Sequence, residues 1–227
     1  MRKLTVMVLM ALIVVPAFAG REEEVERVQL AGRVIEEIMS AEDNRIPNEV
    51  FSDAECLAVV PSLAKGAFIF GGKYGKGVAT CRTESGGWSA PAFFKVAGGS
   101  FGLQIGGEAV DLVMLVMNKE GMNNLLSSKF KLSGEGSVAA GPVGRQAAGQ
   151  TDWKMRAKVL TYSRSRGLFA GLSLEGATIT HDKGDTRDFY GRNIAFRRIL
   201  TGQVQAPADA QPFVSAVAKH GGNRPPE

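Results

Sequence analysis

Only one long stretch of the chain has apolar residues recurring at three- and four-residue steps. Val25, Val28, Ala31, Ile35, Ile38 and Met39 follow that spacing, and Glu22, Glu23, Glu24, Glu26, Arg33, Glu36 and Glu37 mostly fall between them. The pattern predicts an amphipathic helix at residues 20–41, with glutamates in its first turn complementing the helix dipole. Packing on the following domain is the expected use of its apolar face, because an acidic polar face has the wrong sign for insertion among anionic lipids.

From residue 56 the apolar runs become short and are punctuated by glycine. Residues 56–60 form one run, closed by Pro61, and 67–70 form a second. The segment Gly71-Gly72-Lys73-Tyr74-Gly75-Lys76-Gly77 follows, and then the run 78–81. Such runs predict strands bounded by turns. Residues 92–96, 102–106 and 130–132 continue the pattern, with further strands expected at 137–140, 153–157, 159–163 and 168–174. Asp111-Leu112-Val113-Met114-Leu115-Val116-Met117 is almost continuously apolar, which predicts a strand buried on both faces. Residues 118–126 suggest a short helix, and Arg164-Ser165-Arg166-Gly167 a hairpin turn. Residues 201–212, rich in Ala, Pro and Gln, suggest a linker before a short helix using Phe213, Val214 and Val217.

The composition supports this outline. With 227 residues, 44% of them hydrophobic and 28 of them glycine, the chain can bury a sizeable core in a glycine-rich fold. The first residues stand apart. Arg2 and Lys3 precede the apolar run 4–15, Pro16 and the small-residue pattern Ala17-Phe18-Ala19, as in a secretory signal peptide cleaved before Gly20. The apolar run is short of the roughly 20 residues that span a bilayer. The expectation is export to the periplasm or the exterior, with a mature chain soluble after cleavage and able to rest peripherally on membrane. Loss of Arg2 and Lys3 lowers the formal charge from +4, too small a balance to argue for nucleic acid.

Motifs with catalytic overtones are weak. Ser62-Leu63-Ala64-Lys65 matches the S-x-x-K pattern of penicillin-binding enzymes, but the S-D-N and K-T-G companions do not occur. The glycine segment 71–77 lacks the Gly-Lys-Ser/Thr ending of a phosphate loop, and Gly134-Glu135-Gly136 has no strand-loop-helix unit around it. His181-Asp182 falls in a polar turn, and His181 and His220 are the only histidines, so neither a triad nor a metal site is expected. No cofactor and no enzymatic activity are expected. Cys56 and Cys81 are the two cysteines; in an exported chain they can form one disulfide or remain two buried thiols.

A distribution remains. Lys73, Tyr74 and Lys76 share one segment, Arg164 and Arg166 another beside Phe169, and Arg192, Arg197 and Arg198 a third, while Lys129 and Lys131 flank Phe130. On one face such residues would attract phosphate-bearing headgroups; dispersed, they are solvated charges.

The order of segments resembles the SYLF-domain family, lipid-binding proteins with an exported bacterial branch related to yeast actin-patch proteins. The similarity is carried by Ala54-Glu55-Cys56-Leu57-Ala58-Val59-Val60-Pro61, Gly66-Ala67-Phe68-Ile69-Phe70-Gly71-Gly72-Lys73-Tyr74-Gly75-Lys76-Gly77 and Gly98-Gly99-Ser100-Phe101-Gly102-Leu103-Gln104-Ile105-Gly106. It continues through Gly141-Pro142-Val143-Gly144-Arg145, Ser163-Arg164-Ser165-Arg166-Gly167-Leu168-Phe169-Ala170-Gly171 and Phe189-Tyr190-Gly191. The resemblance implies phospholipid binding and, in some eukaryotic members, actin binding. Those members use a basic N-terminal segment where this chain is glutamate-rich, so actin is not an expected partner.

The expected architecture is mostly β (α+β): an antiparallel glycine-rich sheet or partly closed barrel over residues 42–200. An N-terminal helix packs on it, with short flanking helices and a mobile extension at 201–227. The expected function is non-enzymatic binding of anionic phospholipid in the cell envelope through Lys73, Tyr74, Lys76, Arg164, Arg166 and Phe169. The alternative is a structural or chaperone-like envelope protein.

Overall fold

The computed structural model describes residues 19–41, 45–67, 70–101, 106–132, 138–143, 157–165, 168–170, 174 and 176–222. Residues 1–18, and so the signal-peptide expectation, lie outside them, as do 102–105, 151–156 and Arg166.

Nine strands form one curled sheet among the described residues: β1 (Cys56–Ala67), β2 (Phe70–Cys81), β3 (Ala92–Phe101), β4 (Gly106–Val116), β5 (Lys129–Lys131), β6 (Val138–Ala140), β7 (Val159–Ser165), β8 (Leu168–Ala170) and β9 (Thr178–His181). The order is β5-β9-β3-β2-β1-β4-β7-β6, with β8 also on β7, and every pairing but β6–β7 is antiparallel. Six α-helices among the described residues flank it: α1 (Ala19–Ser40), α2 (Asn48–Asp53), α3 (Lys119–Leu125), α4 (Lys183–Tyr190), α5 (Phe196–Leu200) and α6 (Gln211–Gly221). No helix among the described residues is long and apolar enough to cross a membrane.

Along residues 56–60 of β1 and 112–116 of β4 the sheet is buried on both sides, and strand alternation divides the core in two. Cys56, Ala58 and Val60 of β1 and Leu112, Met114 and Val116 of β4 face one cluster, closed by Phe196, Ile199 and Leu200 of α5. Leu57, Val59, Val113 and Leu115 face the other, closed by Val28, Ile35 and Ile38 of α1, Phe51 of α2 and Phe213 and Val217 of α6. The continuous apolar run of β4 serves both clusters, as its pattern requires.

Two features of β1 and β2 differ from the sequence reading. Pro61 does not close its strand. β1 carries one extra residue between Val60 and Leu63 relative to β4, and Ser62 takes a left-handed conformation with φ 58°, its N–H donating to Asp111 Oδ1 at 3.1 Å. The bulge accommodates a proline inside a central strand. The glycines at 75 and 77 do not make a turn either, for β2 runs straight through them. A Cβ at Gly77 would lie 2.4 Å from the carbonyl oxygen of Val59 and 2.7 Å from Phe94, and one at Gly75 would lie 2.5 Å from Val60. These glycines permit close strand and side-chain packing.

The C-terminal segment is packed where the sequence suggests a linker and mobile extension. Val204 and Ala206 lie against the core, Ala210 is buried, and α6 lies on α1. A Cβ at Gly32 of α1 would come within 2.6 Å of the Pro212 carbonyl, so glycine permits that approach. The small side chains of 201–212 reflect tight packing rather than mobility. Likewise the expected polar turn at 181–185 becomes the start of α4, with Asp182 Oδ1 accepting from the N–H of Asp185 at 3.2 Å as an N-cap. Cys56 and Cys81 sit opposite each other in the β1–β2 register and are joined by a disulfide.

Candidate functional site

β2 holds three of the residues expected to meet lipid, and its alternation separates them. Tyr74 and Lys76 share the face of the sheet that carries α1; Lys73 lies on the other. The expected loop is therefore a strand. Arg164 lies in β7 opposite Asp111, on the α1 side, and Phe169 takes the register position opposite Arg164. Arg166 lies outside the described residues.

The helix layer covers only part of this face, and a charged row marks its border. Lys95 of β3 and Lys76 of β2 are register partners. Lys95 Nζ lies 2.9 Å from Asp182, and Lys76 Nζ 3.0 Å from Asp185. Asp185 also receives Arg27 of α1 at 2.8 Å, and Arg164 pairs with Glu37 of α1. Lys76, Lys95 and Arg164 thus each meet a carboxylate from α1, α4 or the N-cap of α4. Their charges fasten α1 and α4 to the sheet, which the sequence does not disclose because the carboxylates come from remote segments.

The pairing shifts the groups involved. The hydrogen bond to Asp182 holds the Lys95 ammonium above its ordinary value. Burial works against the Asp182 carboxylate, but the hydrogen bonds from Lys95 and the Asp185 N–H leave it below the ordinary range. Glu24 is the exception. It is 2% exposed, one oxygen is 3.4 Å from Arg27, and the other has no hydrogen-bond partner among the described residues. Burial, with the neighbouring Asp185 charge, pushes its pKa above the ordinary glutamate value of 4.5.

A raised carboxylate contributes stability that is complete below 4.5 and is lost as pH rises through its folded value. Glu24→Gln removes that loss while Arg27 keeps Asp185. The variant should match the parent near pH 4 and exceed it by about 1 kcal/mol at pH 7 in urea unfolding. A variant less stable than the parent at pH 7 would show that the charged form of Glu24 is the favoured one.

Beyond the charged border, one row crosses six strands in register: Lys131 of β5, Thr178 of β9, Ala97 of β3, Tyr74 of β2, Ala64 of β1 and Ala109 of β4. All but Thr178 are exposed. Tyr74, at 51%, is the exposed large apolar side chain among the described residues. The next row across the central strands is Gly99, Gly72, Gly66 and Gly107.

Other polar groups have structural settings. Ser62 occupies the β1 bulge rather than the helix start that S-x-x-K chemistry needs. The His181 ring stacks on Phe196 with centroids 3.7 Å apart, and burial lowers its pKa. Arg82, 7% exposed, gathers carbonyls from two segments, Ser52 and Ala54 at the end of α2 and Gly221 and Gly222 at the end of α6. Among the described residues no group of three or more His, Cys, Asp or Glu side chains is arranged to hold a metal ion.

Comparison with known proteins gives this fold a family. The family model Ysc84, described as Las17-binding protein actin regulator, matches residues 97–220. Protein YSC84 of Saccharomyces cerevisiae is 37% identical over 175 residues, 76% of this chain and 37% of the yeast protein. The SH3 domain-containing protein PJ696.02 of Schizosaccharomyces pombe is 36% identical over 171 residues, 74% of this chain and 40% of its own length. SH3 domain-containing YSC84-like protein 1 of Mus musculus is 38% identical over 170 residues, 74% of this chain and 50% of the mouse protein. This chain thus spans half or less of each of these relatives. It belongs to the Ysc84 family, the family of the SYLF domain.

Proposed function

We propose that this protein is a non-enzymatic phospholipid-binding protein of the cell envelope, exported by its first 19 residues and acting at anionic membrane surfaces. The observation that carries the reading is Tyr74, half-exposed on an open sheet face in register with Lys131. A tyrosine presents an apolar ring with a polar tip, the combination that settles at the interface between headgroups and acyl chains. Lysines on the same face supply attraction to anionic headgroups. Lys76 and Arg164, paired with Asp185 and Glu37, contribute less than their sequence positions suggest.

A second reading comes from the family description, which names a Las17-binding actin regulator. It calls for a protein partner rather than a lipid. The chain beginning at Gly20 should co-sediment with vesicles containing phosphatidylglycerol, less with vesicles of phosphatidylcholine alone, and not with actin filaments. Sedimentation with filaments but not with vesicles would replace the lipid reading with the actin one.

A further inference from the structure

Glycine on β2 has two different settings. At 75 and 77 an added Cβ would collide with β1 or Phe94, so packing within the molecule accounts for glycine there. At Gly72, on the opposite face, an added Cβ would meet nothing within 4 Å, and φ lies outside the left-handed region. Neither packing nor backbone conformation requires glycine at 72. The exposed neighbours Ala64, Ala97, Ala109 and Gly99 are equally small, which leaves sheet backbone accessible around Tyr74. At the β5 end of the face stand Lys131 and, one row up, Lys129, in register with Thr178 and Thr180. Both lysines are exposed, and neither has an acidic partner among the described residues. The other cations on this face, Lys76, Lys95 and Arg164, are paired with carboxylates.

Resting on the phospholipid reading above, we propose that this open face is the membrane-docking surface: the Gly72 and Ala64–Ala97–Ala109 platform meets the bilayer interface, Tyr74 enters it, and Lys129 and Lys131 hold anionic headgroups. Charge and area select the occupant. Two lysines without an acidic partner among the described residues, beside an uncharged platform, complement an anionic plane, whereas the same platform on a second copy would offer them no counter-charge. The platform measures about 20 Å by 14 Å, roughly 300 Å², well under the about 800 Å² per partner of a stable protein interface. A bilayer imposes no such minimum and admits an exposed aromatic at its headgroup level.

The test measures partition of the chain beginning at Gly20 onto phosphatidylglycerol/phosphatidylcholine vesicles. Lys129→Gln with Lys131→Gln should weaken partition roughly thirtyfold, the loss of two basic contacts. Gly72→Asp, entering open space, should weaken it at least tenfold, with Ala97→Asp as a second variant on the same platform. The control is Arg197→Gln with Arg198→Gln, the same loss of charge on α5, which packs on the opposite face of the sheet; it should bind as the parent does. Equal losses in both double variants would reduce the effect to net charge and overturn the surface. Parent-like binding by the lysine and Asp variants would overturn it too, leaving the lipid reading intact. A parent that binds no vesicle would end both. A lipid-free dimer in sedimentation equilibrium, dissociated by Gly72→Asp, would make the occupant a second copy and overturn the membrane assignment.

Discussion

Replacing Arg82 with alanine should cost about 3 kcal/mol of stability, because one guanidinium holds three separate segments together. Its Nη1 donates to the Gly222 carbonyl at 2.6 Å, and its Nη2 to those of Gly221 at 2.6 Å and Ser52 at 3.0 Å. Nε reaches the Ala54 carbonyl at 3.4 Å. The end of α2 and the end of α6 are thereby tied to the edge of β2, and a cation sits where the last carbonyls of α6 need donors. The guanidinium also lies over Trp88 at 4.2 Å from the ring centroid, while Trp88 Nε1 donates to Gly222 at 3.2 Å. Alanine would leave several carbonyls in a largely dry site without donors. Lysine, a point charge with no planar fork, should recover less than half the loss. Urea unfolding measures both, and a cost below 1 kcal/mol for Arg82→Ala would mean that water replaces the guanidinium freely.

Gly77→Ala should cost about as much, roughly 3 kcal/mol, through overpacking alone. The new methyl carbon would lie 2.4 Å from the carbonyl oxygen of Val59, 2.7 Å from Phe94 Cζ and 2.8 Å from Val60 Cγ2. A carbonyl fixed in the sheet cannot swing aside, so β1 and β2 must separate locally. Gly72→Ala, in the same strand but over open space, should change stability by no more than about 0.5 kcal/mol. The contrast distinguishes packing from any general demand for glycine in β2; similar costs at both positions would refute it.

The elements that prove legible in sequence are those whose pattern lies within one segment. The apolar spacing of α1 and the two-sided run of β4 each announce their own burial. Less is visible where a distant partner decides. Nothing local tells that β1 continues beyond Pro61, since β2 and β4 hold it across the bulge. Gly75 and Gly77 look like turn residues until Val59, Val60 and Phe94 are placed against them. Asp182, three positions before Asp185, is an N-cap signature for α4 that Gly184 disguises as a turn. The same holds for the site. The sequence lists the basic residues, but whether a cation is available depends on carboxylates far along the chain. Asp185 engages Lys76 and Glu37 engages Arg164, while Lys129 and Lys131 stand apart from such partners among the described residues. Arg82 follows a cysteine in an unremarkable stretch, and its role appears only when Ser52 and Gly221 converge on it.

The central claim is attraction between this protein and an anionic bilayer through exposed charge, and ionic strength tests it most directly. Partition of the chain beginning at Gly20 onto phosphatidylglycerol-containing vesicles should fall steadily as salt is raised, because the distance over which exposed charges act shrinks with ionic strength, to about 10 Å at 0.1 M salt and about 3 Å at 1 M. Partition onto phosphatidylcholine vesicles should stay low and unaffected. Binding that ignores salt, or that is equal on the two kinds of vesicle, would contradict the account.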